Sequence, residues 1–229
     1  MRLHKFLSNI GFCSKRDGER LIRAGKIFVN GQKAQIGDTV SGDENIVIDG
    51  QILVQKKSPE KKVLLFHKPK GVECSLSPSG DIKTLLDFDF GADRVFPIGR
   101  LDRDSCGLLL LTNDGKLGNT LAQPSSEREE EYILAVKGSI TSEIITRLSQ
   151  GIMLGEKQTA PCQVEQQSSN TLKLILHDGR TRQIRKMCET VNLQIIDLMR
   201  TRIGTLPLEE LKEGKWRILT VAELQLLKK

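Results

Sequence analysis

The sequence predicts an α+β protein with a small N-terminal unit. At 229 residues the chain is long enough to bury a substantial core. Apolar residues make up 38% of it and charged residues 28%, which excludes collagen-like, disulfide-scaffold and wholly disordered chains. Candidate strands and helices do not alternate regularly, and this favours α+β over a doubly wound parallel sheet.

Residues 1–54 have the pattern of a compact unit of their own. Ser14 predicts a helix N-cap, and Gly25 predicts where that helix ends. The pair Asn30-Gly31 between two short β-prone runs predicts a hairpin. The strand candidates of this unit are residues 26–29, 32–36 and 46–48.

A linker is expected between this unit and a larger, strand-rich region. Residues 55–62 are polar and charged and contain Pro59, whereas residues 63–229 have a mixed pattern of strands and helices. The strand candidates of the larger region are 63–67, 108–112, 132–136, 162–166, 172–177 and 194–199. Its helix candidates are 116–122, 142–150, 182–191 and 221–227.

The balance of charges is basic, with 35 Lys and Arg against 29 Asp and Glu and a net charge of +6. This excess is compatible with a nucleic-acid partner and does not prove one. The five cysteines form no C-x-x-C pair and there are three histidines, so we expect reduced thiols and no zinc site. The first residues lack a signal-peptide core and the longest apolar run, 108–111, cannot span a bilayer, so we expect a soluble cytoplasmic protein.

A charged cluster precedes that apolar run. Residues 100–104 hold four charges in five positions, which is typical either of a solvated turn or of a catalytic loop at the mouth of a buried strand. Three further acids, Asp87, Asp89 and Asp93, are either metal ligands or the decoration of a surface loop. Spacing alone leaves both alternatives open.

Residues 179–191 predict a helix with a basic start. An apolar face repeats at i, i+3, i+4 and i+7, as expected for a helix packed on a core. Arg180, Arg182 and Arg185 crowd the first turn, where the helix dipole disfavours cations. The first turn is therefore either an exposed basic end or the place where an anionic group, a phosphate or a protein carboxylate, is received. The apolar face consists of Ile184, Met187, Cys188 and Val191.

Several motifs, in order along nearly the whole chain, resemble known families. Residues 2–31, which contain the segments RLHKFL, CSKR and AGKIFVNG, resemble the S4 RNA-binding module. The later motifs resemble the RsuA/RluB/RluE/RluF family of ribosomal RNA pseudouridine synthases. They are HKPKG at 67–71, FPIGRLD at 96–102, GLLLLTNDG at 107–115, GRTRQIR at 179–185 and RIG at 202–204.

The resemblance implies a fold, a domain division and a catalytic set. It implies an S4-like (α-L) module over 1–54, a linker over 55–62 and a pseudouridine synthase domain with a mixed, mainly antiparallel sheet over 63–229. Asp102 would act at the ribose C1′ of the target uridine, and Arg185 would pair with its carboxylate. Tyr132 would abut the target base and is a candidate base for a ribose C2′ proton.

The resemblance also implies contacts with RNA. Arg100 would hold the nucleotide extruded from its helix. Phosphate-contacting or RNA-binding residues would be Lys68, Lys70, Arg180 and Arg182, with a basic face on the N-terminal module formed by Lys5, Lys15, Arg16, Arg20, Arg23 and Lys26. The reaction implies no cofactor and no metal. Two positions depart from the family pattern, Glu130 in place of lysine and Gln123 in place of histidine.

The implied substrate is ribosomal RNA, with the large-subunit (23S) RNA favoured over the small-subunit (16S) RNA. Free RNA, a pre-ribosomal particle and an additional transfer RNA substrate all stay open, and we expect a monomer and no membrane partner. One alternative is a non-catalytic S4-type RNA-binding or ribosome-assembly protein. The other is a metal-dependent nuclease using Asp87, Asp89, Asp102 and Asp104, which a chelator would inactivate.

Overall fold

A computed structural model describes residues 1–53, 59–123, 128–177 and 182–227. By its internal contacts the chain divides into two compact units. The first comprises Met1–Lys62 with Phe90–Val95 and Asn113–Gly115, and the second comprises the remaining segments from Val63 onward. Residues 55–58, half of the expected linker, lie outside the described residues, and the boundaries at 54 and 62 stay predictions.

The N-terminal part is a pair of helices packed on a small sheet. Ser14 Oγ accepts the backbone N–H of Asp17 at 3.0 Å, which confirms the predicted N-cap. Asn30 and Gly31 form the tight turn of the predicted hairpin. The elements are α1 (Leu3–Asn9), α2 (Lys15–Arg23), β1 (Ile27–Val29), β2 (Gln32–Lys33), β3 (Ile46–Ile48) and β4 (Gln51–Ile52), and the sheet order is β2-β1-β3-β4.

The core of this part is aliphatic. Leu3 and Leu7 lie one helical turn apart on α1 and are fully buried, together with Ile22 of α2 and Ile27 of β1. Helix α1 is absent from the predicted elements because seven residues with two core positions give too short a periodic signal.

The rest of the chain forms a large sheet with helices around it. Its strands are β5 (Val63–Lys68), β6 (Phe96–Ile98), β7 (Cys106–Thr112), β8 (Glu130–Lys137), β11 (Gln163–Ser168), β12 (Thr171–Leu176), β13 (Gln194–Ile203), β14 (Leu206–Pro207) and β15 (Trp216–Ile218). Two further strands, β9 (Met153–Leu154) and β10 (Lys157–Gln158), pair with each other in a separate two-stranded sheet. Its helices are α3 (Gly115–Ala122), α4 (Ser142–Gln150), α5 (Gln183–Thr190) and α6 (Val221–Leu227), with a 3-10 turn at Leu85–Asp87.

The main path of the large sheet is β11-β12-β8-β13-β7-β5-β15, with β6 paired to β7 and β14 to β13. Among the described strand pairs, β13 with β7 is parallel and the others are antiparallel. The α+β class and the mixed, mainly antiparallel sheet are therefore confirmed.

The centre of the sheet is built on β7, all of whose residues are buried. Gly107 makes the parallel contact with β13 possible, because a Cβ at this position would lie 2.3 Å from the carbonyl oxygen of Arg200. Its φ of +104° also favours glycine. The close approach of β7 and β13 therefore fixes the position of the Arg200 backbone, from which its side chain extends into the protein interior.

The predicted helices 142–150 and 221–227 have the observed bounds, and the predicted helix 182–191 is observed as Gln183–Thr190. Its apolar face is confirmed, since Ile184, Met187, Cys188 and Val191 are all buried. No helix in the described ranges is long and apolar enough to cross a membrane.

Candidate active site

A cavity of about 620 Å³ lies within the second unit, and this volume falls in the range typical of small-molecule binding sites. Its walls come from the loop between β6 and β7, from strands β8 and β13, and from the start of α5. The charged or polar side chains that line it include Arg100, Asp102, Gln123, Glu130, Tyr132, Arg182, Arg185 and Arg200. Residues far apart in sequence thus converge on one concave surface.

Backbone contacts anchor the loop that carries Asp102. The amide of Ser105 donates to the carbonyl of Asp102 at 3.1 Å, and the amide of Gly71 donates to the carbonyl of Arg103 at 2.7 Å. On the other side, the amide of Leu101 donates to Cys74 Sγ at 3.3 Å. The side chain of Asp102 is 27% exposed, so it is accessible from the cavity while its backbone is fixed.

Two arginines from the start of α5 face the Asp102 carboxylate. Arg185 Nε lies 3.6 Å and Arg182 Nη1 3.9 Å from the same oxygen, Asp102 Oδ2. Arg185 Nη2 also donates to the backbone carbonyl of Asp104 and to Ser105 Oγ, both at 3.0 Å. Besides facing Asp102, Arg185 is therefore held to the loop by one backbone and one side-chain hydrogen bond, while its Nε makes no hydrogen bond among the described residues.

A second charged cluster forms one wall of the cavity. Tyr132 donates its hydroxyl to Glu130 Oε2 at 2.6 Å, and Arg200 Nη1 donates to Glu130 Oε1 at 3.0 Å. Arg200 Nε donates to the carbonyl of Leu108 at 2.8 Å. Tyr132 and Arg200 are register partners across β8 and β13 and are both buried.

The electrostatics of this cluster keep the tyrosine protonated. Burial raises the pKa of Tyr132 well above its usual range, and Glu130 adds to that rise against the opposing effect of Arg200. Burial acts to raise the pKa of Glu130, but Arg200 and the tyrosine hydroxyl outweigh it and hold that pKa below its usual value. The pair is thus a neutral phenol donating to a carboxylate, an arrangement that does not favour Tyr132 as a base.

The two lysines expected to contact phosphate, Lys68 and Lys70, lie in different environments. Lys68 is fully buried, and its Nζ donates to the carbonyls of Pro69 and Val72, both at 2.8 Å. The expectation that Lys68 reaches a phosphate is therefore wrong, because its ammonium group holds the 69–72 turn instead. Lys70 is exposed, with Nζ 3.2 Å from Asp197 Oδ1.

Arg100 is exposed and lines the cavity, as its expected role in holding an extruded nucleotide requires. Arg182 is exposed, with a φ of 55°, and forms the N-cap position of α5. Arg180 lies outside the described residues.

The basic residues expected on the N-terminal module are solvent-exposed. Arg20 pairs with Asp17, and Lys26 Nζ lies 3.0 Å from Asp49 Oδ1. The exposed set is Lys5, Lys15, Arg16, Arg20, Arg23 and Lys26.

The acids considered as metal ligands have other partners or lie apart. Asp87 Oδ2 accepts the amide of Thr84 at 2.7 Å in a capping box, and Asp93 pairs with Lys62 at 3.0 Å. Within the described part of the chain no three acidic, histidine or cysteine side chains form a group that could hold a metal ion. The described residues therefore give no support to the alternative that Asp87, Asp89 and Asp93 are metal ligands.

Sequence reasoning missed two members of the cavity wall as functional candidates. The sequence identifies Glu130 only as a departure from the family pattern, and no sequence pattern discussed above predicts a role for Arg200. The available signal for Arg200 was its period, since it lies two residues after the buried Leu198 and so falls on the inward face of β13.

Comparison with known proteins follows the same division of the chain. The sequence profile described as RNA pseudouridylate synthase matches residues 62–190, and the S4 domain profile matches residues 1–46. The chain is 37% identical over 224 residues to the dual-specificity RNA pseudouridine synthase RluF of Escherichia coli strain K12, covering 98% of this chain and 77% of that protein. It is 36% identical over 235 residues to ribosomal large subunit pseudouridine synthase B of Bacillus subtilis strain 168, covering 99% and 95%.

A solved structure gives the same result for the fold. A crystal structure of pseudouridylate synthase superposes with a TM-score of 0.71 at 27% identity and covers 99% of both chains. Sequence profile, relatives and fold agree over nearly the whole length. The chain therefore belongs to the RNA pseudouridylate synthase family and carries an S4 domain at its N-terminal end.

Proposed function

We propose that this protein converts one uridine of large-subunit (23S) ribosomal RNA into pseudouridine, with Asp102 as the catalytic carboxylate. The observation that carries the proposal is the accessible Asp102 carboxylate, held on an anchored loop and faced by Arg185 and Arg182 in a cavity of about 620 Å³. In the isomerisation the bond from C1′ to N1 breaks, a bond from C1′ to C5 forms, C5 loses a proton and N1 gains one. All of these changes occur at one nucleotide.

Each side chain has a part that its position supports. Asp102 acts at the ribose C1′, either as the attacking group or by stabilising the positive charge that develops when N1 departs. Arg185 orients that carboxylate because its own position is fixed by the Asp104 carbonyl and Ser105. Tyr132 presents its ring to the uracil, and Arg100 contacts the backbone of the flipped-out nucleotide.

The substrate assignment follows from the relatives and from the domain content. One relative named above is a large-subunit enzyme and the other is named for dual specificity, which supports 23S RNA as the main substrate and a second RNA, such as a transfer RNA, as an additional one. The exposed basic residues of the S4 domain would anchor the RNA. We further propose that the protein acts in the cytoplasm, on RNA that is free or in a pre-ribosomal particle. We also propose that it acts as a monomer, since all the proposed catalytic residues come from one chain.

The test is carbodiimide and primer-extension mapping of pseudouridines in ribosomal RNA from a strain that lacks the gene. The strain is complemented with the wild-type protein or with Asp102→Asn. The proposal expects one stop in 23S RNA that disappears on deletion and returns only with the wild type. A stop in 16S RNA would overturn the large-subunit assignment, and unchanged maps of ribosomal and transfer RNA would indicate a non-catalytic RNA-binding protein.

A further inference from the structure

We propose that Glu130, together with Arg200, is a positioning pair that holds the Tyr132 hydroxyl as a fixed donor and so sets the orientation of the tyrosine ring against the target base. This inference rests on the proposed function. The inference adds Glu130 and Arg200 to the residues of the proposed function. It also assigns Tyr132 the role of a protonated aromatic side chain that contacts the base, in place of the role of a proton acceptor.

The first argument is geometric. The Tyr132 hydroxyl donates to Glu130 Oε2 at 2.6 Å, the length expected of a charge-assisted bond between a hydroxyl and a carboxylate. Glu130 and Tyr132 are two residues apart on β8, so both side chains project to the same face of the sheet. Their hydrogen bond therefore ties the far end of the ring to the strand that carries it.

The second argument is that Arg200 fixes Glu130 in turn. Arg200 is 3% exposed and is held at two points, by the Leu108 carbonyl through Nε and by Glu130 through Nη1. Gly107 sets the distance at which β13 passes β7, so the guanidinium has a defined position relative to the sheet. A buried arginine that lost its carboxylate would leave an uncompensated charge, which makes the pair an obligate one.

The third argument concerns protons. The charged groups that face Tyr132 are Glu130 on its own strand and Arg200 on β13, and its register partner on β12 is the apolar Leu174. Arg128 acts on Glu130, and Asp102, Arg100, His177, Arg182 and Arg185 line the same cavity. For Tyr132 to accept a proton from the ribose, Glu130 would first have to take the phenol proton, and its ion pair with Arg200 opposes that step.

The chain offers a direct readout, because Tyr132 is its only tyrosine. The ultraviolet absorbance of tyrosinate therefore reports on this one side chain during an alkaline titration of the full-length protein. In the wild type we expect no tyrosinate before the protein unfolds. In Glu130→Gln the negative charge is gone while Arg200 stays, so tyrosinate should form at a lower pH.

Single-turnover kinetics supply the second readout. A mispositioned ring should lower the maximal rate of Glu130→Gln by up to about 100-fold while the KM for RNA changes little. Glu130→Asp keeps the charge but shortens the side chain, so it should lose rate and still keep the tyrosine protonated. This variant also serves if Glu130→Gln fails to fold.

A matched control is Glu131→Gln. Glu131 accepts a hydrogen bond from Thr201 Oγ1 at 2.7 Å and pairs with Arg202 of β13, so it is also a carboxylate bridging β8 and β13, but it does not line the cavity. We expect Glu131→Gln to leave both the tyrosine titration and the maximal rate near the wild-type values.

A double-mutant cycle decides whether Glu130 acts through Tyr132. In a Tyr132→Phe background, Glu130→Gln should cause little additional loss of rate. Fully additive losses, or a Glu130→Gln protein whose tyrosine titrates as in the wild type, would overturn the inference. A wild-type protein that makes no pseudouridine would instead overturn the proposed function, and the tyrosine titration would still test the positioning pair.

Discussion

Two arginines of the cavity, Arg185 and Arg200, lie in an environment opposite to that of the arginines on helix α2. Arg185 and Arg200 have side chains only 12% and 3% exposed, and both are bonded to backbone carbonyls as well as facing carboxylates. Arg20 on α2 has a side chain 78% exposed and one acidic neighbour, Asp17. Arg185 and Arg200 are thus held at several points, whereas Arg20 is held by one acidic neighbour and is mostly surrounded by solvent.

This difference teaches where each group can act. Fixed, buried charges have strong and directional effects, and losing one partner of such a pair is costly because the other stays desolvated. Exposed charges contribute little to folding and interact with a polyanion additively and in a salt-dependent way. We therefore expect substitutions in the cavity to change rates and substitutions on α2 to change affinity.

Asp102→Asn should separate the effect on reaction rate from the effect on RNA affinity more clearly than any other substitution considered. The amide keeps the shape of the side chain but removes the carboxylate that we propose acts at C1′, so we expect single-turnover rates to fall by at least about 1,000-fold. The Kd for RNA, measured by filter binding, should stay within about threefold because the basic contacts are intact.

The control for this experiment is Asp104→Asn, two residues away. Asp104 has a side chain 51% exposed and supports Arg185 through its backbone carbonyl, which the substitution leaves in place. Equal losses in both variants would mean that the charge of the loop, rather than Asp102 itself, is what the reaction requires.

A smaller loss is expected from Arg185→Lys. Lysine keeps the charge but cannot donate from Nη2 to the Asp104 carbonyl and Ser105 while its charge also faces Asp102. We expect the single-turnover rate to fall about 100-fold, since the carboxylate loses its orientation.

Arg182→Lys is the comparison for Arg185→Lys, because Arg182 faces the same oxygen from 3.9 Å with a side chain that is 47% exposed. A partner that solvent already screens should matter less, so its loss of rate should be under about tenfold. A larger effect at Arg182 than at Arg185 would contradict the ranking by burial.

The sequence predicted the members of the cavity that lie in strong motifs, but not the pairing within its wall. Asp102 and Arg185 lie in motifs that carry the family resemblance, the role of Tyr132 is implied by that resemblance, and the apolar face of α5 is predicted by its periodicity. Lys68 was misread because a lysine in a motif looks like a phosphate ligand until burial shows that its ammonium group bonds to two backbone carbonyls.

The pair of Glu130 and Arg200 could not be predicted for a different reason. The two residues are 70 positions apart and meet only through the register of β8 with β13. That register contains irregularities between 195 and 197 and between 200 and 202, which no local pattern specifies. Long-range strand pairing is therefore what decides which charges in this sheet become partners.

The cavity can also be disturbed without changing any charge, by Gly107→Ala. The new Cβ would lie 2.3 Å from the Arg200 carbonyl oxygen, so β7 and β13 would have to separate. We expect a loss of about 3 kcal/mol in the free energy of unfolding, measured by urea denaturation, because overpacking against backbone cannot be relieved by a side-chain rotation.

Gly31→Ala is the matched control for Gly107→Ala. It also has a positive φ, of +81°, but no atom lies within 4 Å of its would-be Cβ, so only the backbone strain of roughly 1–2 kcal/mol should appear. Equal losses at both glycines would show that φ, and not the approach of the two strands, is the constraint at Gly107.

The smallest effect should come from substituting the exposed arginines of helix α2. Replacing Arg16 and Arg23 by alanine removes two exposed positive charges from α2 without breaking a described ion pair. If both contact phosphates, the slope of log K against log salt should become less steep by about 1.4–1.8, while the single-turnover rate at saturating RNA stays unchanged.

The matched control removes Lys157 and Lys212, two exposed charges of the other unit. The same change in slope for both pairs would mean that net charge, rather than the basic face of α2, determines RNA affinity.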